Sequence, residues 1–272
     1  MISYKSLLLD SWTKFKKNLV LVLPTLLGVL FIMGFVSLLA IEAVVIWAFS
    51  KGSFSLETIF ILKNLPFLIV FGIIDFIALL LISSYVRAME IGMLMDITKK
   101  GRTSTKNMFL YGKKMMLKYL KVFLLLILIV YVPLAGIAGI LYALYALFNL
   151  SQVIVIAAIS VILLILLVLS WFLFFIEPII FLKKDNPWAI IKSSFGYTKK
   201  NFKHALITWG IVFLVMIAVS IVLSLFENLI ESGKGIFFSI LVFLFSVFQW
   251  AINIVISLVT RLFIFKSYLA KR

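Results

Sequence analysis

The stretch Asp185–Trp209, DNPWAIIKSSFGYTKKNFKHALITW, decides how this chain is to be read. At about 100° per residue, a helix here gathers Trp188, Ile191, Phe195 and Phe202 into an arc of roughly 60°, with Lys192, Lys199, Lys200 and Lys203 on the other side. Asn186 supplies an N-cap side chain, and Pro187 a first helical residue whose missing N–H costs nothing. The apolar run from Ala205 then enters a bilayer, so the segment reads as an amphipathic helix in the membrane interface.

The N-terminal segment SLLLDSWTKFKKNLVL carries the same pattern. A shift of 183 positions pairs Leu8 with Ile191, Ser11 with Ser194, Trp12 with Phe195, Leu19 with Phe202, and Lys16-Lys17-Asn18 with Lys199-Lys200-Asn201. Tyr4, Leu8, Trp12, Phe15 and Leu19 share one helical face. A weaker copy at Thr103–Leu120 pairs Trp12 with Phe109, and Lys16-Lys17 with Lys113-Lys114, at a shift of 97. Each copy immediately precedes an apolar span. The expectation is one transmembrane domain, 1–272, built from repeats at about 1–100, 101–182 and 183–272.

Composition supports the membrane reading. Of 272 residues 65% are hydrophobic and 13% charged, with a mean hydropathy of +1.25. That is far more apolar surface than a water-soluble domain of this length buries. The net charge of +16 does not point to nucleic acid, because the basic residues sit beside apolar spans; anionic lipid is the expected counterion. With no cysteine, disulfides, thiolate catalysis and cysteine-ligated metals are excluded.

Six runs can cross about 30 Å of hydrocarbon: Leu19–Phe49, Leu65–Val86, Val122–Phe148, Val153–Ile176, Ala205–Phe226 and Ile236–Thr260. The first is too long for a signal peptide and is expected to tilt, to bend near Gly28 or Gly34, or to project past the bilayer. Pro133 predicts a kink in the third. In the same span Ala135, Gly139 and Ala143 form a small-residue stripe suited to close helix packing. The second is expected to continue as a helix through Arg87 to Lys100, stopping at Gly101. The N-terminus, the connections 87–121 and 183–204, and the tail from Arg261 hold 23 of the 26 basic residues. The positive-inside rule therefore puts both termini in the cytoplasm of a prokaryotic-type plasma membrane. Short outer connections make antiparallel pairs of neighbouring spans, so the predicted fold is all-α: three transmembrane hairpins, each preceded by a cytoplasmic amphipathic helix.

Ionisable groups inside hydrocarbon are costly, so each is a functional suspect. Asp75 lies about 15 Å into the second span from its outer end, and Gln249 and Asn253 about 20 and 26 Å into the sixth. They could form either a proton- or cation-coupled transport site or a polar clamp between helices, with the clamp favoured. Glu42 is expected to reach the outer interface or pair with Lys63, a structural role. Glu177-Pro178 closes the fourth span beside Lys183 and Lys184 and reads as a hinge and charge clamp, with Pro178 disfavouring helix at Glu177. Enzyme chemistry finds little here. His204 is the only histidine, which removes HExxH-type zinc sites, and it reads as an interfacial residue. Glu90 and Asp96 stand on nearly opposite helix faces, and no phosphate-binding glycine loop occurs.

At Glu177-Pro178, Trp188-Ala189-Ile190-Ile191-Lys192-Ser193-Ser194 and Lys199-Lys200-Asn201-Phe202, the chain resembles the glycerophosphoryl diester phosphodiesterase membrane domain family. The resemblance covers about thirty residues and implies a six-span membrane domain. In that family the domain can accompany a soluble hydrolytic barrel; this sequence carries none, so the resemblance brings over no catalytic residue.

The resulting expectation is a non-enzymatic, membrane-organising or anionic-lipid-interacting protein without metal or cofactor. Lys16, Lys17, Lys113, Lys114, Lys199 and Lys200 would bind headgroups, with Trp12, Phe109, Trp188 and Phe195 as interfacial anchors. The alternative is a small transporter, channel or lipid-translocating subunit centred on Asp75.

Overall fold

A computed structural model describes residues 3–49, 58–148, 152–183, 186–231 and 236–271. They form α1 (Tyr4–Lys16), a 3₁₀ turn at Leu19–Val22, α2 (Leu23–Phe49), α3 (Thr58–Lys100) and α4 (Thr105–Leu126). A π-helical turn at Ile127–Tyr131 leads into α5 (Val132–Phe148), followed by α6 (Gln152–Leu173), α7 (Ile176–Leu182), α8 (Pro187–Lys200), α9 (Phe202–Glu231) and α10 (Ile236–Lys271). Among the described residues, six helical stretches are long and apolar enough to cross a membrane. The chain is an all-helical, multi-pass membrane protein, as expected where hydrocarbon offers backbone N–H and C=O groups no outside partner.

Helix ends follow local chemistry. Asn186 Oδ1 accepts from the Ala189 N–H at 2.8 Å, capping α8 with Pro187 in its first turn. The 43 residues of α3 span about 64 Å, twice the hydrocarbon thickness. The helix passes Arg87 and stops where Gly101 takes φ +76° and donates its N–H to the Ile97 carbonyl at 3.0 Å.

Two local expectations need correction, and a third gains a mechanism. The overlong first run breaks at Asn18–Val22, not at Gly28 or Gly34. Gly28 serves packing instead: a Cβ there would stand 3.2 Å from Val86 Cγ1, which brings α2 onto α3. Pro133 follows directly on the π turn at Ile127–Tyr131, which accommodates its missing N–H where α4 passes into α5. Ala135, Gly139 and Ala143 are exposed, and nothing lies within 4 Å of a Cβ built on Gly139, so among the described residues this stripe has no packing partner.

Consecutive spans are neighbours, with α2 on α3, α5 on α6 and α9 on α10; α3 also packs along α4, and α1 along α10. The core lies at the end of the bundle that carries both termini, around Met89, Met93, Leu94, Leu262 and Phe265. Two glycines bring α3 and α4 together there. A Cβ on Gly92 would meet Tyr111 Cγ at 2.2 Å, and one on Gly112 would meet Tyr85 Cε2 at 2.7 Å. The same contact buries Asp96, which accepts from Asn107 Nδ2 and Tyr111 Oη, both at 2.8 Å, and pairs with Lys100 at 2.9 Å.

Candidate functional site

Lys16 and Lys17 end α1, and Lys199 and Lys200 end α8; in each case the chain turns at the next asparagine before a membrane helix begins. Asn18 fixes its corner by donating from Nδ2 to the Lys14 and Gly101 carbonyls at 2.8 and 3.0 Å and by accepting the Thr103 N–H at 3.1 Å. Asn201 Nδ2 donates locally to the Tyr197 carbonyl at 3.2 Å. The middle copy has no corner: Lys113 and Lys114 sit within α4, which runs on into its span.

Burial nevertheless follows one pattern in all three. Ser11, Phe15 and Asn18 are buried, as are Met108, Gly112 and Met115 at the shift of 97; at the shift of 183 Ser194 and Thr198 are buried and Asn201 is half-buried. All six lysines are exposed, and so are Trp12, Phe109 and Trp188; Phe195 is half-buried, stacked on Phe172. The buried face of α8 therefore centres on Ile190, Ser194 and Thr198, one step round from the aromatic arc expected from the sequence. Ser194 Oγ donates to the Phe172 carbonyl at 2.9 Å, satisfying a carbonyl at the end of α6. Lys118 Nζ does the same for the end of α7, donating to the Ile180 and Lys183 carbonyls.

The second assembly was not legible in the sequence. Glu90, 4% exposed, accepts from Thr25 Oγ1 at 2.8 Å through one carboxylate oxygen. Through the other it accepts from Arg87 at 2.8 Å and Arg261 at 2.5 Å. Three helices thus converge on one carboxylate. The cluster forms the floor of a cavity of about 420 Å³ between α2, α3 and α10. Its walls run outward through Val29, Ile82 and Ile254 to Trp250, with Ser83, Asn253 and Ser257 as polar positions. Trp250, Asn253, Ser83 and Ile32 at the far end are exposed on the bundle surface, so the cavity opens sideways between helices. The desolvation of these charges is offset by mutual pairing and by a hydrogen bond to each carboxylate oxygen.

The expected intramembrane set is divided. Asn253 lines the cavity, whereas Asp75 and Gln249 do not. Asp75 Oδ1 is buried without a hydrogen-bond partner, so the expected Asp75–Gln249 clamp does not engage this oxygen. Glu42 lies on α2 outside the described side chains. Glu177 is in the first turn of α7, not in a non-helical link; the break falls before it at Phe174–Phe175, and Pro178 sits where its missing N–H costs little. Glu177 acts electrostatically on Arg87, behind the cluster, while Lys183 donates to Ser193 Oγ at 2.8 Å. Among the described residues no group of three or more His, Asp or Glu could hold a metal ion.

His204 is not a loose interfacial residue. It is 6% exposed, with Nδ1 2.8 Å from Tyr4 Oη and Nε2 3.1 Å from the Ser267 carbonyl, so one tautomer satisfies both bonds and ties α1 and α10 to α9. Asp10 adds a second tie from α1 to α10 through Lys266 Nζ at 2.5 Å. That hydrogen bond holds the Asp10 carboxyl below the usual carboxylate range.

The one signal that could have revealed the cluster is residue type. Only four of the 26 basic residues are arginine, and Arg87 and Arg261 are each the first charge after an apolar run. Arginine is the cation suited to buried, multiply hydrogen-bonded positions. No family model, curated protein or solved structure matches the chain, so what the site can do is read from its own geometry.

Proposed function

We propose that this is a non-enzymatic membrane protein that gathers anionic lipid around one end of its bundle. The observation that carries the reading is the shared exposure of Lys16, Lys17, Lys113, Lys114, Lys199 and Lys200, flanked by Trp12, Phe109 and Trp188. Each lysine near an anionic surface contributes about 1 kcal/mol of attraction, and aromatic side chains hold the segments at headgroup depth. The three segments act as interfacial elements introducing three hairpins, and their common burial pattern supports an internal repeat. The 23 basic residues at the termini-bearing side support a cytoplasmic location of both termini and an inner-leaflet lipid, in a plasma membrane.

The test is lipid enrichment. Full-length protein in nanodiscs of phosphatidylcholine and phosphatidylglycerol is expected to collect phosphatidylglycerol at low salt and lose it at high salt. Changing all six lysines to Gln should abolish the salt-sensitive enrichment; unchanged enrichment sinks the reading. The transporter alternative keeps one specific support, the unpartnered Asp75 Oδ1. A carboxylate at that depth can serve a proton or small cation. Liposome flux that disappears in Asp75→Asn would favour it over lipid gathering.

A further inference from the structure

We infer that the lateral cavity between α2, α3 and α10 is a dedicated site for one phospholipid of the termini-side leaflet, and that it takes a lipid with a singly charged phosphodiester headgroup. The inference shares the membrane placement of the proposed function but does not depend on the exposed lysines.

Access decides the first part of the assignment. The mouth of the cavity is formed by Trp250, Asn253, Ser83 and Ile32, all exposed on stretches that lie within the apolar spans. A molecule entering there comes from the bilayer, not from water. Trp250 and Arg261 are eleven positions apart on α10, about 17 Å at 1.5 Å per residue, close to the depth of one leaflet, about 15 Å. The ligand therefore needs a polar end at the Arg87–Arg261 floor and an apolar chain along Val29, Ile32, Ile82 and Ile254. That is the shape of a phospholipid.

Charge decides the second part. Arg87 and Arg261 each commit one bond to Glu90, and each guanidinium carries five N–H donors. Both arginines also line the cavity, so donors remain for an anion there. At the cavity floor two guanidinium charges stand against the one carboxylate of Glu90; Glu177 acts on Arg87 but does not line the cavity. The floor thus offers at most one uncompensated positive charge. A phosphodiester, with one negative charge, matches it; a dianionic monoester leaves a negative charge in a low-dielectric site. Ser83, Asn253 and Ser257 provide further hydrogen-bonding groups beside the path. Arginine suits the task because its planar donor fork matches two phosphate oxygens at once.

Native mass spectrometry of the full chain tests the assignment, using protein released from nanodiscs containing phosphatidylcholine with either phosphatidylglycerol or phosphatidic acid. One phosphatidylglycerol per chain is expected to persist at high salt, in preference to phosphatidic acid. Arg261→Gln should weaken its retention by at least about tenfold, the scale of a lost charge-assisted hydrogen bond. Because that change disturbs the buried cluster, Ser83→Trp serves as the second variant; it fills the mouth, leaves the charges intact and should displace the lipid equally. The six-lysine variant should keep the single lipid while losing the salt-sensitive enrichment, which separates failure of this site from failure of the surface reading. Retention unaffected by both Arg261→Gln and Ser83→Trp overturns the site. Stronger retention of phosphatidic acid overturns the phosphodiester assignment, and displacement of the lipid by millimolar inorganic phosphate overturns the lipid assignment.

Discussion

The two halves of the bundle are built on different physics. At the termini-bearing end, Glu90, Asp96, Asn18 and His204 are nearly buried and hydrogen-bonded to groups from other helices or turns. Further along the same α3 and α10, Ile69, Ile73 and Ile77 and then Phe243, Leu244 and Val247 face outward with half or more of their surface free. Lipid tails are as apolar as those side chains, so isoleucine and phenylalanine provide almost no preference for a neighbouring helix over lipid. Polar bonds and glycine contacts do. The comparison teaches that the arrangement of the spans is specified at one end, and that the other half follows.

The largest predicted break in that comparison is Glu90→Ala, which leaves Arg87 and Arg261 without their shared carboxylate and should cost about 3–5 kcal/mol. Thermal unfolding in detergent, followed by helical circular dichroism, would measure it. Next comes Gly92→Ala. The added methyl pushes on Tyr111 and through it on the Asp96 bond, so about 1–3 kcal/mol should be lost, with selective hydrogen exchange at the α3–α4 contact. Asn18→Ala removes the side chain that joins the first corner to the loop at Gly101–Thr103 and should cost about 1–3 kcal/mol. Its counterpart Asn201→Ala should do less, since Asn201 Nδ2 bonds within its own turn.

A smaller effect should appear on acidification. Asp10 has its acidity strengthened in the folded chain by Lys266, so its contribution is present above the ordinary carboxylate range. It is lost as pH falls through the depressed folded value. The rate of cleavage beside Phe15 by pepsin, an acid protease, taken relative to that of Asp10→Asn at the same pH, should therefore rise as pH falls below the ordinary carboxylate range. Asp10→Asn, lacking that titration, should show no such pH step. The smallest effect belongs to the other half: Ile140→Ala, at a position 62% exposed, should change stability by no more than about 0.5 kcal/mol. A loss comparable to that of Glu90→Ala would erase the distinction between the two ends.

Much of the helical scaffold could be read directly. Asn186-Pro187 and Lys100-Gly101 mark boundaries because capping and left-handed backbone are decided within one turn of the chain. Other local readings failed for a reason that neighbouring residues do not carry. Gly28 looked like a bend and is a contact, because Val86 lies 58 positions away in sequence yet faces it. Ala135, Gly139 and Ala143 have the spacing of a packing stripe, but that face of α5 meets no partner among the described residues. Of the candidate site, Asn253 stands out in the sequence as a polar residue in a span, and it lines the cavity. Its expected companion Asp75 lies elsewhere, and its actual companions, Arg87, Glu90 and Arg261, were assigned to basic loops or dismissed as scattered charge.

The sequence alone determined that this is a multi-pass membrane protein, that it has six stretches apolar enough to cross, and that lysine concentrates in the N-terminal segment, two of the connections and the tail. Hydropathy, helical period and capping depend on residues within a few positions of one another, and all of them are visible in a line of letters. Only the tertiary structure decided that Thr25, Arg87, Glu90 and Arg261 share one site. Apolar spans in apolar solvent do not announce their neighbours, and Glu90 and Arg261, 171 positions apart, meet because α3 and α10 lie side by side.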